Sequence, residues 1–183
     1  MSPIKYEEID ELIQRSGSIE VFKIFCETGT FKGYTVENML PHFHKIYSIE
    51  LNENFYNNCV LKFMDKKNVT ILHGDSSVML NNILFDEPTI FFLDGHWSGY
   101  DTAKGIKDCP LLEELDVINK NSKFDTLIII DDSRLFGKNS SYQSDYPDWS
   151  DITVENIMNI IGDRVIYSED VNDRFSILLK KIN

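Results

Sequence analysis

Three cysteines in 183 residues are too few, and odd in number, for a disulfide framework. Cys26, Cys59 and Cys109 stand far apart and form no CxxC pair, which also removes the usual structural zinc site. Thiols used this way fit a reducing, cytoplasmic compartment. Basic residues are short as well: 18 Lys and Arg face 30 Asp and Glu, a formal net charge of −12. Phosphate neutralisation needs clustered cations, so no nucleic-acid partner is expected. An anionic membrane surface would repel such a chain. No apolar run approaches the roughly 20 residues of a bilayer span, and the strongest, over 126–130, is strand-sized. The opening MSPIKYEEIDELIQ is acidic and amphipathic, which reads as a helix and not as a secretory leader.

What is present is a globular composition. Apolar residues make up 42% and aromatic residues 12%, enough for one packed core and too much for a disordered chain. The pattern predicts a single domain over 1–183, with an N-terminal helix within 1–18 and a core over 19–183. Runs of strand character fall at 21–26, 46–49, 69–72, 89–93, 127–130, 164–167 and 175–179. Helix-period segments lie between them at 34–40, 54–64, 76–84, 110–119 and 154–161. Alternation of this kind predicts a doubly wound α/β fold: a mostly parallel seven-stranded sheet with helices on both faces. The last two strands are too close for a crossover, so they close the sheet as an antiparallel hairpin. In such sheets ligands bind beyond the carboxyl ends of the strands.

Acidic residues stand at those ends. The first strand runs into Glu27-Thr28-Gly29-Thr30-Phe31-Lys32-Gly33, a carboxylate followed by two glycines four apart. This is not GxGxxG, so the pyrophosphate cradle of dinucleotide folds is absent. Glu50 follows the second strand, as a ribose-hydroxyl acceptor or as a solvated loop residue. Asp75 follows the third, to receive an adenine amino group or to cap the next helix, a role Ser76 also fits. The fourth strand gives Asp94-Gly95-His96-Trp97 and the fifth Asp131-Asp132. Three carboxylates at neighbouring strand ends repel one another unless a cation joins them. The plainer reading of the Asp131-Asp132 pair has one capping a turn and the other pairing with Arg134. His96 is a candidate base, metal ligand or substrate contact, or a histidine bonded to local backbone.

Taken together, Glu27-x-Gly29-x-x-x-Gly33, Glu50, Gly74-Asp75 and the terminal hairpin resemble the class I S-adenosylmethionine-dependent methyltransferases. The Asp after strand four and the Asp pair after strand five resemble the metal-dependent sugar O-methyltransferases of the macrocin and novobiocin type. That resemblance implies a Rossmann-like methyltransferase fold with S-adenosylmethionine as cofactor. It puts Glu27 and Gly29 by the methionine moiety, with Thr30 and Gly33 in the same loop, Glu50 on the ribose, and Asp75 with Ser76 at the adenine. Asp94 touches the cofactor and, with Asp131 and Asp132, holds a divalent ion, Mg²⁺ by preference for oxygen ligands. Asp94 and His96 are the implied catalytic residues, one of them taking the proton of an acceptor hydroxyl. The acceptor is expected to be a small, sugar-like molecule. Segments 97–107 and 134–146 are expected to form its rim, with Trp97 and Tyr100 stacking on it and Lys104 and Arg134 open to an anionic group. A homodimer is the default assembly. The reading from another class is a non-catalytic S-adenosylmethionine-binding domain serving as a partner or regulatory subunit.

Overall fold

The computed structural model describes residues 3–99, 102–139 and 147–182. Seven strands form one sheet in the order β3-β2-β1-β4-β5-β7-β6. They are β1 (Ile24–Thr28), β2 (Lys45–Glu50), β3 (Val69–His73), β4 (Thr89–Leu93), β5 (Thr126–Asp131), β6 (Val165–Val171) and β7 (Arg174–Leu179). β1 to β5 run parallel, and β7 enters antiparallel between β5 and β6. The expected doubly wound sheet with a closing hairpin is therefore the fold. The hairpin turns on Asn172 and Asp173, both at positive φ (55° and 63°), as a tight two-residue turn matched to strand twist requires.

Among the described residues six α-helices cover the sheet: α1 (Tyr6–Ser16), α2 (Tyr34–Met39), α3 (Glu53–Lys62), α4 (Ser76–Met79), α5 (Leu111–Asn121) and α6 (Val154–Ile161). β1, β4 and β5 are buried throughout and feed alternate side chains to two cores. Phe25, Ile90, Phe92 and Leu127 pack with Ile9, Val36 and Met39 on one face. Cys26, Phe91, Ile128 and Ile177 pack with Leu80, Leu115, Ile118, Ile157 and Ile161 on the other. Among the described residues no helix is long and apolar enough to cross a membrane.

The helix expected over 76–84 is shorter than its pattern. α4 ends at Met79, continues as a 3₁₀ turn through Leu80–Asn82, and gives way to extended backbone at Ile83. Leu80 and Ile83, both buried, are three apart, the spacing that a 3₁₀ turn stacks on one side. The first strand also begins later than expected, at Ile24, because Val21 is 70% exposed and outside the ladder.

Candidate active site

The order of the sheet reverses between β1 and β4, and their registers end together: Thr28 lies beside both Ile49 and Leu93. A cleft enclosing about 590 Å³ out to its mouth opens beyond these ends. Gly29, Glu50, Asp75, Ser76, Asp94 and His96 line it. Gly29 has φ +83°, and a Cβ there would stand 2.3 Å from the Asp94 carbonyl oxygen. Only glycine lets these two loops touch. Phe31, at φ +49°, bends the chain in the same turn and brings its amide to Glu50 Oε2 at 2.7 Å. The other Glu50 oxygen accepts from the Asn52 amide at 2.7 Å. Glu50 thus stands buried at the cleft wall with both oxygens anchored by backbone. Asp75 caps α4 through the Ser77 amide at 3.0 Å and still borders the cleft.

Three residues of the expected cofactor set stand behind this wall. Glu27, Thr30 and Gly33 do not line the cleft. Glu27 is 1% exposed and accepts from Ser48 Oγ at 2.6 Å, while Thr30 Oγ1 meets Ser48 Oγ at 2.5 Å. Burial pushes the Glu27 carboxyl up to about 8 against the hydrogen bonds of Ser48 and Thr35. Gly33, at φ +72°, opens α2 where a Cβ would stand 2.7 Å from the Phe63 ring. These residues shape the loop from beneath.

The segment after β4 borders the same cleft. Trp97, Thr102, Ala103, Gly105 and Lys107 form the opposite wall of the cleft. Gly105 lies so close that its Cβ would be 3.1 Å from Asp75 Oδ2. The segment expected at the acceptor rim therefore faces Glu50 and Asp75. Lys104 is paired with Asp108 at 2.8 Å and lies over the Trp97 ring. Arg134 is bonded to Asp132 and Asp173. Both cations are thus paired at the surface in this structure. Tyr100 and residues 140–146 of the second expected rim segment lie outside the described residues.

At the β4–β5 end, His96 sits between two carboxylates. Its Nδ1 is 3.5 Å from Asp94 Oδ1 and its Nε2 is 3.1 Å from Asp132 Oδ2. Asp94 Oδ1 is buried with no hydrogen-bond partner. Burial, then the charges of Asp131 and Asp132, push the Asp94 carboxyl well above the usual range. Asp132 behaves oppositely: hydrogen bonding to His96, helped by Arg134, pulls it down to about 2. Asp94, His96 and Asp132 each offer an atom within 4.8 Å of the others, a spacing that admits a metal ion. Asp131 is not in this group. Its Oδ1 accepts from Arg174 Nε at 3.0 Å, because the antiparallel β7 sets Arg174 directly across from it. Of the expected set Asp94, Asp131 and Asp132, the first and last fall in this group, His96 joins them, and Asp131 lies outside it.

Sequence reading missed Glu114, on α5. It is 1% exposed, its Oε1 has no partner, and burial raises its carboxyl to about 7 against hydrogen bonds from Ser76 and Thr28. It looked like one more acid of Glu113-Glu114 on a helix, and only the apolar neighbours Leu111, Leu115 and Ile118 at helical spacing signalled that it points inward.

No protein-family model matches the chain, and no curated protein matches it. Solved structures do. A S-adenosylmethionine-dependent methyltransferase from Clostridium acetobutylicum is 12% identical, with 98% of this chain and 93% of that one covered at TM-score 0.58. A candidate methyltransferase from Streptococcus mutans, solved in complex with SAH, is 14% identical over 100% of both chains at TM-score 0.58. An rRNA methylase from Streptococcus thermophilus is 12% identical, covering 100% of this chain and 99% of that one at TM-score 0.56. The fold is the Rossmann-like methyltransferase fold. At these identities the likeness concerns architecture, and function rests on the residues of the cleft.

Proposed function

We propose that the chain is a S-adenosylmethionine-dependent methyltransferase acting on a hydroxyl of a small, sugar-like molecule. One observation carries the reading: Asp94 and His96 belong at once to the cleft with Glu50 and Asp75 and to the cluster with Asp132. A cofactor site and a proton-accepting site would therefore share two residues. Glu50 faces the ribose hydroxyls and Asp75 the adenine amino group, as the acidic strand ends suggest. The acceptor oxygen attacks the sulfonium methyl carbon, the carbon–sulfur bond breaks, and sulfur keeps the electron pair. The proton released by the hydroxyl passes to His96 or Asp94, with Asp132 compensating the imidazolium. Positioning of oxygen and methyl in line supplies much of the acceleration.

A divalent ion fits the cluster, since Asp94 Oδ1 is buried without a partner and the donors are two carboxylates and an imidazole. Asp94, His96 and Asp132 would hold it, and it would lower the pKa of an acceptor hydroxyl. The net charge of −12 argues against carrying the rRNA substrate of a structural neighbour to this chain. Calorimetry with S-adenosylmethionine, SAH and NAD⁺, each with and without Mg²⁺ or Mn²⁺, tests the cofactor. Methyl transfer to a panel of sugars, comparing wild type with Asp94→Asn and His96→Ala, tests the chemistry. Binding of the sulfonium cofactor with no turnover, and no effect of either substitution on binding, favours the non-catalytic binding domain. No binding of the cofactor overturns both.

A further inference from the structure

Asp132 is held in place from the terminal hairpin. It follows β5 at φ +62°, a left-handed backbone that an L residue adopts only against strain, and the chain then makes one 3₁₀ turn, Ser133–Leu135. The first two amides of that turn both reach Asp173. Ser133 N–H donates to its carbonyl oxygen at 3.1 Å, and Arg134 N–H donates to its Oδ1 at 2.8 Å. Ser133 Oγ adds a bond to Asp170 Oδ1 of β6 at 2.7 Å. The Arg134 guanidinium closes the arrangement, its Nη1 bonded both to Asp173 Oδ2 and to Asp132 Oδ1. The other Asp132 oxygen, Oδ2, faces His96 Nε2 at 3.1 Å.

The hairpin by itself does not ask for this. Asp173 stands at φ +63° in a two-residue turn, where glycine is the usual second residue. An aspartate there accepts strain that the turn could avoid, and its carboxylate bonds Arg134, 39 positions away in sequence. We propose that Asp173, acting through Arg134, is a positioning residue for Asp132. It fixes the turn after β5 so that one Asp132 oxygen is taken by the guanidinium and the other is turned to His96. Without that grip the Asp132 side chain would be shared among its rotamers. An exposed ion pair adds little to stability, and Arg134 is 56% exposed, so the guanidinium acts on orientation more than on folding. This role rests on the reading of Asp94, His96 and Asp132 as the proton-accepting site proposed above.

Two measurements test it, and the first needs no ligand. His96 is 8% exposed, so its Nε2 proton, bonded to Asp132, should give a slowly exchanging downfield resonance, identified by its loss in His96→Gln. Asp173→Gly suits the turn and removes the carboxylate. It should abolish that resonance and lower Mn²⁺ affinity, by calorimetry, at least roughly tenfold, the size of losing a supporting partner. Asp173→Asn keeps the Oδ1 acceptor and also tolerates the left-handed backbone. It should restore the resonance and bring Mn²⁺ affinity to within about threefold of wild type. Arg134→Gln, which keeps its backbone amide and loses the guanidinium, should resemble Asp173→Gly in both measurements. Asn172→Gly, at the other positive-φ position of the turn, should change neither. A resonance and an Mn²⁺ affinity that survive Asp173→Gly or Arg134→Gln overturn the proposal. So do losses in Asp173→Asn or Asn172→Gly equal to those in Asp173→Gly, which would make the effect one of hairpin folding. A wild type without the resonance overturns it as well. Absence of Mn²⁺ binding by wild type overturns the metal reading of the cluster instead, and the resonance still decides the positioning. Neither measurement uses S-adenosylmethionine, so a failure of the cofactor reading shows separately, in its own calorimetry.

Discussion

Arg174 reaches across the sheet to Asp131, its Nε donating to Oδ1 at 3.0 Å from the facing position on β7. The same guanidinium holds Glu8 of α1 at 2.7 Å through Nη1. One arginine thus pins the N-terminal helix to the end of β5. It also divides the acidic cluster in two. Asp131 is held by Arg174 and Asp132 by Arg134, whereas Asp94 has His96 beside it and an oxygen without a partner.

Asp131→Asn should therefore act on stability and Asp132→Asn on the cluster. Removing one partner of a largely buried charge pair costs roughly 1–3 kcal/mol, readable as a lower urea midpoint at unchanged slope. Mn²⁺ affinity, by calorimetry, should stay within about threefold for Asp131→Asn. For Asp132→Asn it should fall at least roughly tenfold, the size of losing even a supporting partner. A stable Asp131→Asn protein that no longer binds Mn²⁺ would return Asp131 to the metal set.

Gly29 and Gly17 separate backbone strain from collision. Both have positive φ, but a Cβ at Gly17 meets nothing within 4 Å while one at Gly29 meets Asp94 O at 2.3 Å. Gly17→Ala should cost about 1–2 kcal/mol, the penalty of the left-handed region. Gly29→Ala should cost distinctly more and displace Asp94, so that SAH binding is lost even where the protein stays folded. Equal costs in a urea titration would mean that the two loops do not touch.

The sheet was legible because strand and helix periods alternate cleanly and because Leu93, Ile130 and Ile49 end buried runs just before acids. Glu50, Asp75, Asp94 and His96 could be placed at the cleft for the same reason: a parallel strand points its following residue at the ligand side. The role of Asp131 was not legible. Its partner Arg174 is 43 positions away, and only the register of an antiparallel strand brings the two together. The hydrogen bond that holds Glu27 was not legible either: alternation along β1 turns it toward Ser48, under the loop it precedes. Glu114 was hidden by its own residue type, since a glutamate on a helix is usually solvated.

Glu50 makes an unusual demand on its replacement. Each of its oxygens accepts a backbone N–H at 2.7 Å, from Phe31 and from Asn52. Glutamine offers one acceptor and one donor, so one amide would face an NH₂ group. Glu50→Gln should thus cost nearly as much as Glu50→Ala, roughly 1–3 kcal/mol for a buried amide left unpaired. Cofactor affinity should drop with it, since the Phe31 turn forms the cleft wall. A Glu50→Gln protein as stable as wild type would mean that the two amides find other acceptors.

Glu27 should leave its mark on the pH dependence of stability. Its carboxyl is raised from 4.5 to about 8, so between those values the folded chain holds a proton that the unfolded chain has released. Stability then falls as pH rises through this window and levels off above about 8, at about 1.4 kcal/mol per pH unit for one proton. Glu27→Gln keeps an acceptor for Ser48 and removes the titration. Its unfolding free energy, from urea titrations between about pH 5.5 and 7.5 without ligand, should decline less steeply by about that amount. Glu114, raised to about 7, adds a slope of the same sign up to that pH, so Glu27→Gln with Glu114→Gln should flatten the curve further. A slope unchanged by Glu27→Gln would mean that Glu27 is ionised in the fold, and that its burial behind Ser48 is compensated by a charge those contacts do not supply.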